Sequence, residues 1–229
     1  MNAKRILFSI TLATPLFFIA CKKNKDSLSA TSSFKYKLTT TNRNSIVARI
    51  AGGNVLWTSG YASATQVKFE AKKSDNSQVE FKSSAMQHID LFASLVPVIG
   101  NISLPADTYK EVEFKGELAP SGSDAALELN GTFTSGAVTT PVTFTVNSPL
   151  EIKTEKNNVV IADNSSYSAL TNLNLSFLTQ GITEAMLNSS TKTGGKIIIS
   201  ANSNTNLYTI MLANLDNSDE VEFEHDLKN

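Results

Sequence analysis

Apolar and polar residues alternate with a period of two along most of the chain. Phe34, Tyr36 and Leu38 alternate with lysine and threonine, and roughly a dozen such segments are separated by residues typical of turns. Alternation places every second side chain on one face of a strand, so it predicts half-buried strands. Many short strands with frequent turn signals are typical of a sandwich or barrel. The predicted fold class is therefore all-β: an antiparallel β-sandwich with one or two short helices.

The strongest hairpin signal lies between residues 65 and 81. Apolar and charged residues alternate on both sides of residues 74–77, which read Ser-Asp-Asn-Ser. Because Asn and Asp favour tight turns, this pattern predicts two antiparallel strands joined by a turn. The clearest amphipathic strand covers residues 112–118, where valine, phenylalanine and leucine face one side and glutamate and lysine the other.

Two stretches depart from strict alternation. Residues 86–99 carry apolar residues at mixed spacings of three and four, which predicts a short helix or an apolar connecting loop. Residues 182–190 predict about two turns of helix, with Thr183 as the N-cap and with Met186 and Leu187 facing the core.

Several further strands are predicted with specific features. Gly131 marks a bulge or a close approach of two backbones, and Pro141 places the start of its strand at a sheet edge. Residues 150–161 predict two short strands separated by a turn at an Asn-Asn pair. Residues 173–177 and 207–212 alternate in polarity and are each predicted to be strands.

The first twenty residues have the pattern of a secretory signal. Lys4 and Arg5 precede an apolar run that ends at Ala20, directly before Cys21. The run is shorter than the roughly 20 apolar residues that a membrane-spanning helix needs. We therefore expect residues 1–20 to be a signal peptide that is removed.

The end of this segment, Leu-Phe-Phe-Ile-Ala-Cys, resembles the relaxed lipobox of Bacteroidota-type lipoproteins. The resemblance implies lipidation of Cys21, which becomes the first residue of the mature chain. An ordinary signal peptide with an incidental cysteine is the alternative. Because each buried acyl methylene contributes about 0.8 kcal/mol, several acyl chains would hold the protein at a membrane.

Polar residues follow the cysteine and predict a flexible tether over residues 21–33, before a domain over residues 34–229. Lys22 does not resemble an inner-membrane retention signal, so the outer membrane is expected, with the domain facing either the periplasm or the medium. Asp26-Ser27-Leu28 resembles an O-glycosylation motif of such exported proteins, which makes Ser27 a candidate modification site.

The middle of the chain resembles a family of uncharacterised bacterial lipoproteins. Ile89-Asp90-Leu91 and the stretch from Leu104 to Tyr109 carry this resemblance. It implies a β-sandwich on the cell envelope, a domain of unknown function, and no catalytic residues.

Charge and cysteine content exclude several classes of function. The formal net charge is -1, and no cluster of basic residues could neutralise nucleic-acid phosphates. The only cysteine is Cys21, so disulfides, thiolate nucleophiles and thiolate metal sites are not expected. No cofactor is predicted.

Candidate chemistry is sparse. A catalytic triad needs a histidine beside a nucleophile and an orienting group, but His88 is predicted to be a hydrogen-bonded residue at the core edge and His225 to lie in solvent. Carboxylates at Glu111, Glu113 and Glu117 share an exposed face and are predicted to be solvated. An acidic stretch over residues 216–226 could hold calcium, but a charged edge strand explains it equally.

The remaining candidate site is aromatic. Trp57 and Tyr61 flank Thr-Ser-Gly and could form a ligand platform, although a single tryptophan is also typical of a core. We therefore expect an outer-membrane-anchored lipoprotein that is not an enzyme and acts as a binding or structural interaction module for an envelope protein or a glycan. The alternatives are a glycan-processing hydrolase with a loop-built site, or a fimbrial or adhesin-type subunit that adds a strand along an unpaired edge at residues 34–40.

Overall fold

The computed structural model describes residues 31–40, 46–50, 52–85, 88–215 and 219–226. This part of the chain is all-β, with strands in three sheets and two short helices. The elements are β1 (Thr31–Thr40), β2 (Ile46–Ile50), β3 (Gly53–Ala62), β4 (Ala64–Lys73), β5 (Gln78–Ser84), β6 (Ile89–Asp90), β7 (Val98–Pro105), β8 (Asp107–Leu118), β9 (Leu127–Ser135), β10 (Val138–Val146), β11 (Leu150–Ile161), β12 (Ser166–Leu173), α1 (Glu184–Asn188), β13 (Lys192–Thr193), β14 (Lys196–Ile199), α2 (Thr205–Leu215) and β15 (Asp219–Asp226).

The three sheets have the strand orders β15-β12-β1-β7 in sheet 1, β13-β14-β10-β9-β3-β2 in sheet 2 and β11-β8-β4-β5 in sheet 3. In sheet 2, β6 also pairs with β3. Most neighbours are antiparallel, but β1 runs parallel to β12 and β10 runs parallel to β14. Parallel neighbours need a long crossover, which the sequence pattern did not reveal.

Sheets 1 and 3 form a sandwich with an aromatic core. Phe34 of β1 stacks on Tyr167 at 4.8 Å between ring centroids and meets Phe114 of β8 at 5.5 Å. Phe69 of β4 meets Phe114 edge-on at 5.0 Å. These rings are buried, and they come from the alternating apolar positions that predicted the strands.

Sheet 2 joins the sandwich at one end. β3 continues into β4 through Ser63, whose backbone bonds to Ala126 and Ala119. The final residue of β1, Thr40, donates its N–H to Leu91, and Leu91 donates to Gly60 of β3. Sheet 2 therefore lies at the end of β1 opposite Thr31.

Helices α1 and α2 help to cover the inner face of sheet 2. Leu187 of α1 and Met211 of α2 are buried in the same core cluster as the apolar residues of β9 and β10, and Tyr208 of α2 meets Phe144 at 6.0 Å. The N-cap of α1 is Thr183, whose hydroxyl accepts from the N–H of Met186. The predicted helix over 182–190 and its cap are confirmed.

Several other predictions are confirmed in part or in full. The hairpin over 65–81 is β4 and β5, with Asn76 in the left-handed conformation that its turn needs. Within 86–99, residues 88–97 form a connecting loop that contains β6, and residues 98–99 begin β7. Gly131 is a close-approach point, since a Cβ there would lie 2.2 Å from the carbonyl oxygen of Leu56.

The predicted tether over 21–33 extends too far. β1 begins at Thr31, and the hydroxyl of Ser32 donates to Ala162 O and accepts from the N–H of Ser165. These hydrogen bonds join the start of β1 to the backbone directly before β12, so residues 31–33 belong to sheet 1. β1 also lies between β12 and β7, so residues 34–40 are not the unpaired edge that the adhesin alternative requires.

The predicted break in residues 150–161 is wrong. β11 is one continuous strand that keeps the same register with β8 on both sides of Asn158. Asn158 adopts a left-handed conformation, φ 58°, which asparagine tolerates at low cost. The Asn-Asn pair therefore distorts the strand locally without turning it.

The start of β10 is locally a sheet edge, as predicted from Pro141. Residues 138–141 pair with β9 on one side, and the parallel ladder with β14 begins only at Val142, so the proline removes no bond from that ladder. Two further strand predictions are corrected. The strand expected at 173–177 ends at Leu173. Residues 207–212 belong to helix α2.

Candidate functional site

The two aromatic residues of the predicted platform lie on opposite faces of β3. Trp57 is completely buried and cannot contact a surface ligand, so its inclusion in the platform is wrong and its core role is what the structure shows. Tyr61 is partly exposed on the outer face of sheet 2.

A β-bulge at Thr58 separates the two rings. Residues 57 and 61 would point to the same side of a regular strand, but the register with β9 shifts between Trp57 and Ser59. The extra residue reverses the alternation. Trp57 therefore points inward, opposite Gly131, and Tyr61 points outward, opposite Glu128.

Tyr61 is held in a cluster with His88 and Asp124. Its ring stacks on the His88 ring at 4.6 Å between centroids and an interplanar angle of 24°. Its hydroxyl accepts the backbone N–H of Ala125 at 3.1 Å. The Nδ1–H of His88 donates to Asp124 Oδ2 at 3.1 Å. His88 is hydrogen-bonded as predicted, but it does not lie at the edge of the core, since 55% of its side chain is exposed.

Polar side chains continue from Tyr61 across the outer face of sheet 2. Glu128 and Asp90 are its direct neighbours on β9 and β6. The hydroxyl of Thr143 donates to Asn130 Oδ1 at 2.7 Å, and Asn130 Nδ2 donates to Glu128 Oε1 at 2.9 Å. This chain of hydrogen bonds fixes the orientation of the Asn130 amide and of the Glu128 carboxylate.

We call this surface the polar face. Its outward residues on β2, β3, β9 and β10 are Val47, Arg49, Asn54, Leu56, Ser59, Tyr61, Glu128, Asn130, Thr132, Thr134, Thr139, Pro141, Thr143 and Thr145. Most are uncharged hydroxyl or amide side chains, with Arg49 at one corner and Glu128 near the other.

The outer face of sheet 3 has the opposite character, and we call it the charged face. One row across its four strands consists of lysines only: Lys82, Lys68, Lys115 and Lys153. The next row consists of glutamates only: Glu80, Glu70, Glu113 and Glu155. Within each row, side chains of the same charge face each other across neighbouring strands. Between the two rows, each lysine lies next to a glutamate.

Ion pairs between these rows compensate the like charges. Lys115 Nζ lies 2.9 Å from Glu70 Oε2 and 3.1 Å from Glu113 Oε2, Lys153 also pairs with Glu113, and Lys68 pairs with Glu117. The hydrogen bond to Glu70 raises the pKa of Lys115. The predicted solvated role of Glu111, Glu113 and Glu117 is therefore only part of the picture, because two of them are paired.

Two shallow hollows open on sheet 3. One has a volume of about 350 Å³ and is lined by Glu70, Glu80, Glu111 and Glu113 among others. The other, about 400 Å³, lies between Thr65, Glu117 and Leu150. Neither includes the Tyr61–His88 cluster, in which the His88 side chain is 55% exposed.

Within the described ranges, no group of three or more histidine, cysteine, aspartate or glutamate side chains could hold a metal ion. No helix in that part of the chain is both long and apolar enough to span a bilayer. Cys21, Ser27 and the side chains of residues 216–226, including His225, lie outside what the structure describes, so their predicted roles stay predictions.

The sequence identified Tyr61 but missed its partners. Asp124 is 36 residues from His88 in the chain, and Glu128 and Asn130 alternate with apolar residues as on any half-buried strand. Their proximity follows from strand register, which has no local sequence signal.

Comparison with protein-family models, with curated proteins and with solved structures gave no match. The function therefore has to be argued from the residues of this chain.

Proposed function

We propose that this protein is a lipoprotein, anchored in the outer membrane through Cys21, that acts as a non-catalytic binding module of the cell envelope. The observation that carries the proposal is the position of β1. Its first residue, Thr31, follows Cys21 by ten positions, and β1 lies inside sheet 1. An anchor at Cys21 would therefore fix one defined end of the sandwich near the membrane.

We call this end the near end. It contains the start of β1, the β4–β5 turn around Asn76 and the β11–β12 connection around Asp163. Residues 22–30 can span at most about 30 Å when extended. β1 has 10 residues and rises roughly 30 Å over its length, so the Tyr61–His88 cluster would lie a full strand length farther from the membrane.

The charges of the near end do not favour direct contact with anionic headgroups, which attract basic clusters. Lys73 Nζ pairs with Asp107 Oδ2 at 2.8 Å, and this bond raises the pKa of Lys73 and lowers that of Asp107. Asp75 lies in the adjacent turn, where hydrogen bonds from Ser77 lower its pKa. The lipid, not the domain surface, would supply membrane affinity.

The geometry around His88 supports binding over catalysis. His88 and Asp124 resemble the base and orienting group of a catalytic triad, but a triad also needs a nucleophilic hydroxyl within reach of the ring. Among the described residues, His88 makes its polar contact with Asp124 and its ring contact with Tyr61. The hydrolase alternative would need a carboxylate in apolar surroundings that raise its pKa. The Glu113 side chain is only 13% exposed, but it is paired with Lys115 and Lys153.

The test compares the wild-type chain with Cys21→Ala in cell fractions and in intact cells treated with protease. We expect wild type in the outer-membrane fraction and Cys21→Ala in the soluble fraction, with Ser27→Ala behaving as wild type. Cleavage of wild type in sealed cells would place the domain outside, and protection would place it in the periplasm. Equal fractionation of wild type and Cys21→Ala would contradict the proposal.

A further inference from the structure

We propose that the polar face binds an uncharged polysaccharide, with one sugar ring against the Tyr61–His88 stack. This inference rests on the proposed function in one respect: it names the ligand of the module that the anchor would present. The site consists of the stack and two adjoining rows of polar residues on β3, β9 and β10.

The stack is a preorganised aromatic surface. Tyr61 is fixed by its ring contact to His88 and by the hydrogen bond from Ala125, and His88 is fixed in turn by Asp124. The His88 side chain is nevertheless 55% exposed. A flat ring held in place and open to solvent can cover the C–H face of a sugar without a further cost of ordering the side chain.

The rows beside the stack repeat at a spacing that suits a chain of sugars. Ser59, Asn130 and Thr143 form one row, and Tyr61, Glu128 and Thr145 form the next. Neighbouring strands lie about 4.8 Å apart, which is close to the length of one pyranose ring. Thr143 is buried and serves to orient Asn130. A polysaccharide lying across the strands would therefore meet Ser59 and Asn130 in one row and Tyr61, Glu128 and Thr145 in the next.

Beyond their hydrogen bonds to each other and to Thr143, Asn130 and Glu128 each keep a group that can bind a sugar hydroxyl. Asn130 uses its carbonyl oxygen for Thr143 and one N–H for Glu128, so its second N–H can donate. Glu128 accepts at Oε1, and its other oxygen can accept. A sugar hydroxyl both donates and accepts, so one diol can satisfy the two residues together.

Charge selects among polysaccharides. Asp90, Asp124 and Glu128 border the stack and would repel uronate, sulfate or phosphate groups. Apart from the Glu128 carboxylate, the two rows carry hydroxyls and the Asn130 amide, and Arg49 lies at the far corner of the face. An uncharged ligand brings no second negative charge beside Glu128, and its hydroxyls can donate to that carboxylate, whereas the charged face of sheet 3 offers no such strip.

The test is affinity electrophoresis of the purified full chain in gels containing hydroxyethylcellulose, galactomannan or dextran, and separately polygalacturonate. We expect at least one neutral polymer to retard the protein and polygalacturonate not to. Asn130→Ala and His88→Ala should each weaken retardation about tenfold, whereas Lys82→Ala on the charged face should leave it unchanged. Because Asn130 lies on β9 and His88 in the loop before β6, the two site variants together guard against misfolding of either one.

No retardation by any neutral polymer, or equal retardation of wild type and both site variants, would overturn the inference. Binding of an oligoarginine peptide in place of the polymers would instead assign the site to a basic protein partner. If the protein fractionates with the membrane but binds no polymer, only this inference fails. If it binds polymer but Cys21→Ala fractionates as wild type, only the anchoring proposal fails.

Discussion

The conformation at Thr58 decides which side chains of β3 reach solvent. The bulge there sends Trp57 into the core and Tyr61 to the surface. The backbones of β3 and β9 come close at this point, where Gly131 faces Trp57. A Cβ at Gly131 would lie 2.2 Å from the carbonyl oxygen of Leu56, a backbone atom that cannot rotate away. The bulge and the glycine are therefore one structural feature.

Gly131→Ala should destabilise the fold by roughly 3 kcal/mol, the upper end of the usual cost of overpacking, because backbone must move to admit the methyl group. Chemical denaturation measures this change. Thr132→Ala, one position along β9 on the outer face, is the matched control and should stay within about 0.5 kcal/mol of wild type. Equal stabilities for the two variants would show that the strands do not approach as described.

At the scale of elements, the charged face depends on its alternating rows. Four lysines directly opposite one another would destabilise sheet 3 if they stood alone. The glutamate row beside them changes the balance, since Lys115 lies within 3.1 Å of carboxylates on both β4 and β8. The face also protects the edges of the sheet, because charged side chains on β5 and β11 oppose pairing with another chain.

Lys115→Met should lower stability by about 1 kcal/mol at low ionic strength, because it leaves Glu70 and Glu113 facing each other. Both pairs are partly exposed, so salt should screen much of the effect. The Glu70 hydrogen bond raises the pKa of Lys115 above its ordinary 10.5. Its stabilisation is therefore complete below that value and is lost as pH rises through the raised pKa.

Denaturation of Lys115→Met and wild type at neutral and strongly alkaline pH measures this difference, with Lys37→Met on the outer face of sheet 1 as control. The difference in unfolding free energy between wild type and Lys115→Met should disappear at strongly alkaline pH. A gap that persisted there, or one as large for Lys37→Met, would show that the ion pairs are not its source.

The elements show what a sequence pattern can and cannot provide. Burial against one face sets the period-two alternation, so the hairpin of β4 and β5 and the amphipathic strand β8 were predicted correctly. Helix α2 was missed because residues 207–212 alternate locally, whereas its buried residues, Leu207, Met211 and Leu215, reveal a spacing of four only over a longer window. Local chemistry was decisive at Thr183, the cap of α1, at the β4–β5 turn around Asn76 and at Gly131.

For the candidate site too, some residues could be predicted from the local sequence and others could not. Tyr61 could be singled out because an aromatic residue beside small polar ones is a local signal. Its pairing with Trp57 was wrong because one inserted residue reverses every later side chain of β3. His88 and Asp124 meet Tyr61 only through the register of β6 and the turn before β9, which depends on long-range packing.

For the whole molecule, the central property is the end of the sandwich at which each feature lies. β1 and β8 start and β4 and β11 end at the near end of the sandwich, and sheet 2 joins at the opposite end. An anchor on Cys21 would thus hold the polar face away from the bilayer. This arrangement suits a module whose ligand approaches from the side opposite the membrane.

The most direct test of this account uses the single cysteine. If Cys21 carries lipid, an introduced cysteine is the only free thiol, so Asp163→Cys at the near end and Ser123→Cys beside Asp124 can each carry one fluorophore. Energy transfer to an acceptor in the headgroups of proteoliposomes then reports height above the membrane. We predict strong transfer from position 163 and much weaker transfer from position 123. Equal or reversed efficiencies would contradict the orientation, and labelling of wild-type Cys21 itself would contradict the anchor.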